Sequence, residues 1–233
     1  MPVTPSELPI REIGDARLAD LFGEPGCPVC RYRDRAARRF VDGILAESVT
    51  DRAFRRELDE ARGFCRVHTH ELLAADRRES GGTVAAAILL GAVVAVRGRE
   101  IETLPAERGR SRSRLVADAR RAAACPVCAH AAEAEATVVG RLADLAAEPG
   151  WAAALGSAAL CVDHLLGLAA RIPASPAWRS IAEQQVARIE ALRERLRSFA
   201  HHSSHDRRHL VTEDERVSAT EAATFLGGTR SDG

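Results

Sequence analysis

All six cysteines of the chain fall inside one repeated pattern, and none is left over. Cys27-Pro28-Val29-Cys30 is answered by Cys65-Arg66-Val67-His68, and Cys125-Pro126-Val127-Cys128 by Cys161-Val162-Asp163-His164. Thirty-four residues separate Cys30 from Cys65, and thirty-two separate Cys128 from Cys161. Each set offers three thiolates and one imidazole, the donor set of a closed tetrahedral zinc site. The spacing therefore predicts two zinc ions per chain. One is expected on Cys27, Cys30, Cys65 and His68, the other on Cys125, Cys128, Cys161 and His164. Four protein ligands leave no open position for substrate, so a catalytic zinc is not expected.

Two other chemistries fit part of the pattern. An iron–sulfur cluster could use the same ligands, although such clusters usually take four cysteines. A CPVC pair also resembles the dithiol of thioredoxin-like proteins, where a helix N-terminus lowers a thiol pKa. That fold needs a βαβ pattern, which this sequence does not display, and it leaves the CxxH pairs unexplained. Both stand as alternatives to zinc.

A chain of 233 residues holds one large domain or two small ones. Apolar residues make up 46% but aromatics only 4%, so the core must be built from Ala, Leu, Val and Ile. Ala and Leu favour helix. The 33 basic residues are all arginines and balance 33 acidic ones. The lack of lysine and asparagine looks like the codon bias of a GC-rich genome. Zero net charge argues against a general nucleic-acid or membrane-surface binder. Residues 1–12 lack the basic and apolar regions of a secretory signal. The longest apolar run, Val84 to Val96, is too short to span a bilayer and suits a buried core helix. CxxC pairs without an export signal fit metal or redox chemistry in the cytoplasm.

Hydrophobic periodicity reads as helix throughout. A short helix carries Ile13, Leu18, Leu21 and Phe22. After Cys30, the positions Ala37, Phe40, Val41, Ile44 and Leu45 recur at three- and four-residue steps. Thr50 or Asp51 can cap a second helix, which Gly63 ends. His68, Leu72 and Leu73 lie on a third, and a fourth runs from about Thr83 to Leu104. An outward helix and a return of comparable length would bring Cys65 back to Cys27. The unit then recurs, with offsets of 98 residues between the CxxC pairs and 96 between the CxxH pairs. Such offsets indicate an internal duplication. Ser175-Pro176 starts a long helix with Trp178, Ile181, Val186, Ile189, Leu192, Leu196 and Phe199 on one side, either core or a dimer seam. Val217 to Leu226 forms one more short helix.

The remaining polar clusters point less sharply. His201, His205 and His209 would share a face if helical, and with His202 they form a His-rich stretch that could take a further metal; a solvated helix end explains them as well. Arg108, Arg110, Arg112 and Arg114 read as a solvated linker rather than a nucleic-acid contact. Arg31, Arg33 and Arg66 are close enough in sequence to offset thiolate charge. Trp151 and Trp178 read as core anchors. No Walker loop, dinucleotide fingerprint or nucleophile elbow occurs, and nothing nominates an enzyme.

The run CPVCRY, GFCRVH, CPVC, LCVDHL and a tail of the HDRRHL type, from about residue 25 to residue 228, resembles a bacterial family of unknown function with duplicated CPxC…GFCxxH units. The resemblance implies a helical, metal-binding, cytoplasmic protein and supplies no activity. The second copy has Ala159-Leu160 where the first has Gly63-Phe64, so the turn before Cys161 is expected to differ.

The expected fold is all-α, two duplicated helical-bundle units, each pinned by a zinc site of three Cys and one His. The expected segments are a lead-in over 1–24, a first unit over 25–104, a polar linker over 105–114, a second unit over 115–200 and a polar tail over 201–233. The expected role is a zinc-stabilised scaffold or adaptor, non-enzymatic, binding another protein or a small molecule, with a homodimer possible. A thiol-based redox-responsive protein is the alternative.

Overall fold

The computed structural model describes residues 8–103, 108–120, 123–204 and 206–229, with only the backbone at 119 and 120. Among the described residues there are eleven α-helices and no strand. In chain order they are α1 (Ile13–Phe22), α2 (Pro28–Gly43), α3 (Arg52–Glu60), α4 (Arg66–Ser80), α5 (Val84–Thr103), α6 (Gly109–Arg120), α7 (Pro126–Leu145), α8 (Pro149–Ser157), α9 (Val162–Ala169), α10 (Pro176–His202) and α11 (Glu213–Gly227). The order of long, short, CxxH-bearing and long helix occurs as α2–α5 and again as α7–α10.

Two compact units form, and they are not consecutive halves. One takes residues 1–34 and 134–233, the other residues 35–133. Their boundaries fall inside α2 and α7. The reason is helix length. The outward leg, α2 of 16 residues with a five-residue π turn, runs about 30 Å. The return leg, α3 of nine residues, covers about 14 Å. The second half has the same imbalance, with 20 residues in α7 and nine in α8. The equal there-and-back excursion expected from the sequence does not occur.

In the larger unit, α10 packs on α8 and α11, and α11 also meets α9. Its core gathers Leu18, Leu21, Val29, Leu142, Leu155, Leu160, Leu168 and Ile181 around the fully buried Trp151. Trp151 makes an edge contact with Phe22 at 5.7 Å and donates its indole N–H to the Pro9 carbonyl at 3.0 Å. Trp178 is only partly buried. The long stripe of α10 is core at Ile181 and Leu192, whereas Val186 is exposed. The 201–233 segment is more than a loose tail. Thr212 and Glu215 form a capping box that starts α11 four residues before Val217.

Asp15 is completely buried in this unit. Its carboxylate accepts from the Arg11 and Glu12 N–H groups at 3.1 and 3.2 Å and from the Arg141 guanidinium at 2.9 and 3.0 Å. Burial works against the anion, but the Arg11 N–H and the Arg141 guanidinium outweigh it, so the Asp15 pKa lies below its ordinary value.

In the smaller unit, Phe54, Leu58, Leu72, Leu89 and Val127 make the core. Asp51 accepts from the Ala53 and Phe54 N–H groups and caps α3. The buried Asp76 of α4 accepts the Ala86 N–H at 2.8 Å and so caps α5 from the preceding helix. Two expectations fail here. Residues 109–114 of the supposed linker are the first turns of α6. The apolar run of α5 is not a buried core helix: only Ala86 and Leu89 are buried, and Val84, Ile88, Val94 and Ile101 are exposed. A helix apolar on every side has more apolar surface than α3 and α4, packed on one side of it, can cover.

The Asp15 cage gives a test. A depressed folded-state pKa contributes stability that is present above the unfolded value of about 3.9 and is lost as pH falls through the lower folded value. Asp15→Asn should lower the melting temperature at pH 7, and the gap to wild type should close below about pH 4. Thermal melts across that range would check it.

Candidate metal centres

The first cysteine of every motif sits at the start of a helix. The Cys27 and Cys125 carbonyls accept the first helical bonds of α2 and α7, from Arg31 at 3.1 Å and Ala129 at 2.9 Å. Pro28 and Pro126 follow at the first helical position, where no N–H is missed. Cys65 and Cys161 are the N-caps of α4 and α9. Each motif thus presents its sulfurs to the partly positive end of a helix, which favours thiolate.

The eight residues expected to bind metal do gather into two clusters, but with exchanged partners. Cys27 and Cys30 meet Cys161 and His164, and Cys65 and His68 meet Cys125 and Cys128. Each CxxC is completed by the CxxH of the other half of the chain. The pairing read from the sequence is therefore wrong in both sites, for the reason given by the helix lengths: the return leg is too short.

Four ligands around one zinc, about 2.3 Å to sulfur and about 2.0 Å to nitrogen, stand about 3.8 Å apart between sulfurs and about 3.5 Å between sulfur and nitrogen. In the first cluster the Cys30 and Cys161 sulfurs are 3.7 Å apart, and His164 Nδ1 lies 3.4, 3.4 and 3.0 Å from the sulfurs of Cys27, Cys30 and Cys161. In the second, the Cys65 and Cys128 sulfurs are 3.7 Å apart, and His68 Nδ1 lies 3.2, 3.5 and 3.3 Å from those of Cys65, Cys125 and Cys128. Both clusters have the size of a single tetrahedral ion. No two of the six cysteines are bonded to each other.

Both imidazoles face their cluster through Nδ1, which leaves Nε2 for a carboxylate. His164 Nε2 is 3.3 Å from Glu135, and His68 Nε2 is 3.7 Å from Glu71. These are ion-pair separations, His164 Nε2 making no well-formed hydrogen bond and 3.7 Å at His68 being beyond hydrogen-bond length, so the carboxylates favour the Nε2-protonated ring electrostatically. Glu135 also pairs with Arg33 at 3.4 Å. Of the three arginines expected near thiolate charge, Arg33 fulfils that role. Arg31 is bound to the Pro25 carbonyl and Glu24, and Arg66 is exposed.

The thiols titrate as groups. Hydrogen bonds from the Cys161 and Cys30 sulfurs hold the Cys27 thiol at about 3, while those from Cys161 and Cys27 push Cys30 above the usual thiol range. Burial works against the Cys125 thiolate, yet the His68 contact and nearby N–H groups bring it down to about 6. Burial and the Cys65 sulfur push Cys128 up to about 12. One thiolate in each cluster forms readily and then opposes the next, a conflict that a divalent cation removes.

The clusters differ in enclosure. All four ligands of the first are buried, whereas Cys128 of the second is exposed and Cys65 and His68 are half-buried. The chain end after α11 wraps the first. Thr229 Oγ1 accepts the Cys27 N–H at 2.6 Å. Gly228, at φ +77°, passes so close that a Cβ there would stand 3.0 Å from Cys30 Sγ.

The turns before the CxxH pairs differ, as the Ala159-Leu160 substitution suggested. The first uses Arg62 and Gly63 with left-handed backbone, Gly63 at φ +99° against Val93. The second has no positive φ. It is held by Gln185, buried in α10, whose Nε2 donates toward the carbonyls of Leu155, Gly156 and Ala158 at 2.7, 3.0 and 2.9 Å. Sequence reasoning missed Gln185, Glu135, Gly228 and Thr229. The Gln184-Gln185 pair between Ile181 and Leu192 was the one available signal.

The His-rich stretch does not assemble a third site among the described residues. α10 ends at His202, and His209 lies in a separate 3₁₀ turn, Arg208–Leu210. His205 is outside the described residues. His202 pairs with Glu215 at 3.1 Å and ties α10 to α11. His130 stacks on Phe40 at 4.3 Å, and His70 is exposed.

Residues 11–175 match the model of a family described only as one of unknown function. No curated protein and no solved structure matches the chain. No helix among the described residues is long and apolar enough to cross a membrane.

Gln185→Leu should cost about 1–3 kcal/mol by removing the two amide hydrogens that the carbonyls of Leu155, Gly156 and Ala158 share. It should also speed chelator extraction from the first cluster and leave the second unchanged. Extraction kinetics followed with a colorimetric chelator would check this.

Proposed function

The chain belongs to the family of unknown function DUF6062, and from its site we propose that it is a zinc-stabilised helical scaffold in which two ions fasten a duplicated, cross-paired chain. The observation that carries this reading is the pair of three-sulfur, one-nitrogen clusters whose ligand atoms all lie within 4.8 Å of one another. That spacing suits one ion and is too tight for an iron–sulfur core with its own sulfides. The donor set suits zinc. All six cysteines are free thiols, and each CPVC pair shares its cluster with a third sulfur and an imidazole, which a two-cysteine redox centre does not need. Four protein ligands per ion also make each site structural rather than catalytic. The recurrence of the element order, with offsets of 98 and 96 residues, supports duplication.

The metal-fastened reading has a sharp genetic test. Cys65→Ser and Cys125→Ser strike the same cluster, so the double variant should keep about one zinc per chain. Cys27→Ser with Cys65→Ser strikes both clusters and should keep none. Pairing within each half would reverse the two counts. Structural zinc supplies on the order of 10 kcal/mol in small domains, so the second double variant should also lose its cooperative melt. Elemental analysis and calorimetry of untagged protein would read both.

The exposed face of α5 supports a contact surface, and its occupant in this reading is a second copy of the chain. Val84, Gly91 and Gly98 recur every seven residues, as do Ala87, Val94 and Ile101. That is the period that keeps two helices in contact. A Cβ at Gly91 or Gly98 would meet nothing within 4 Å, so an identical helix can approach closely. Sedimentation should give a dimer for wild type and a monomer for Val94→Arg, with unchanged zinc content. A wild-type monomer at tens of micromolar would remove this part of the proposal.

A further inference from the structure

A cavity of about 410 Å³ opens between α10, α11 and the two turns that lead into the first cluster. Pro25 comes from the turn before Cys27, Leu160 from the turn before Cys161, and Val217 and Phe225 from α11. These walls are apolar. The polar lining residues are Thr220, Glu221 and Thr224 of α11 and Arg188 of α10. The volume is that of a small-ligand site, for which about 300–1,000 Å³ is usual, as is a mostly apolar lining with a few fixed polar groups.

Arg188 is the unusual member. It is half-buried, yet among the described residues its guanidinium has no hydrogen bond or ion pair. Glu221 also lines the cavity, but its carboxylate is taken by a two-pronged pair with Arg195. Burial is the largest influence on Arg188 and holds its pKa below the ordinary value. The Glu221 carboxylate attracts Arg188 without pairing with it, and Arg195 beside it works the other way; a half-buried cation with no direct ion pair is costly, and a bound anion would recover that cost.

We infer that this cavity binds a small amphipathic monoanion, with its apolar body between α10 and α11 and its carboxylate on Arg188. The argument needs only the cavity and its free cation, so it goes beyond the zinc reading and does not depend on the identity of the metal. The plainer role for Arg188 is to balance the negative charge of the thiolate cluster, since its field reaches Cys27. The two roles separate experimentally, because a charge-balancing residue affects metal retention and a ligand-binding one does not.

The probe is octanoate, titrated calorimetrically into the full-length metal-loaded chain, with octanol as the same body without charge. Octanoate should bind once per chain and at least about tenfold more tightly than octanol, as one charge-assisted contact allows. Arg188→Met keeps the apolar stem and should erase that preference while leaving metal content and melting temperature unchanged. Thr224→Phe, which fills the cavity and keeps Arg188, should weaken both ligands. The inference is overturned if wild type does not bind octanoate, if Arg188→Met binds it equally well, or if that variant loses metal. Metal analysis of the same samples keeps the zinc reading separate: octanoate binding by a chain without two zinc ions would sink only the latter.

Discussion

The arrangement depends on four helix N-termini that meet in pairs at two knots of sulfur. α2 and α9 bring Cys27, Cys30, Cys161 and His164 together, and α4 and α7 bring Cys65, His68, Cys125 and Cys128 together. Each helix end lends partial positive charge to the thiolates. That is not enough for three sulfurs in contact, as the split between Cys27 and Cys30 and between Cys125 and Cys128 makes plain. A divalent cation would resolve the repulsion and, in the proposed reading, would join segments about 130 residues apart in the first cluster and about 60 apart in the second. Cross-links between distant segments restrict the unfolded chain most, so a sparse core of Ala and Leu can suffice.

The two knots are built alike and finished differently. The second lies near the surface, with Cys128 exposed. The first is sealed by Gly228 and Thr229, by the Glu135–Arg33 pair behind His164, and by Gln185 under the turn before Cys161. Gln185, Gly228 and Thr229 lie beyond the 11–175 stretch that matches the family. The same segment supplies α11 and one wall of the cavity that holds Arg188. Residues 213–229 therefore border the first cluster twice, as its cover and as one wall of the cavity beside it.

Among the described residues the buried carboxylates, Asp15, Asp76 and Glu215, are taken up by caps and ion pairs, and each Cys/His cluster brings four protein donors together. What remains free is the apolar face of α5 and the cation in the α10–α11 cavity. Both are features that cost free energy in an isolated monomer and that a second copy or an anion would relieve.

The sequence by itself determined the all-helical class and most of the helices, α6 excepted, and the eight Cys and His residues that gather into clusters. Ala- and Leu-rich periodicity specifies helix locally, and a Cys or His pair three residues apart at a helix start converges on one point whatever lies elsewhere. The last helix was legible for the same reason over Val217 to Leu226, whereas the capping box of Thr212 and Glu215 starts it at Glu213. Which CxxH joins which CxxC was decided only in three dimensions, because it turns on the unequal lengths of α2 and α3 and of α7 and α8. The role of Gln185 was likewise decided only there, where the carbonyls of Leu155, Gly156 and Ala158 gather around it. The exposure of α5 was hidden too, since an apolar run reads as buried until the helices available to cover it are counted. Local interactions are written in neighbouring residues; partnership between distant ones depends on distances that accumulate along the whole path of the chain.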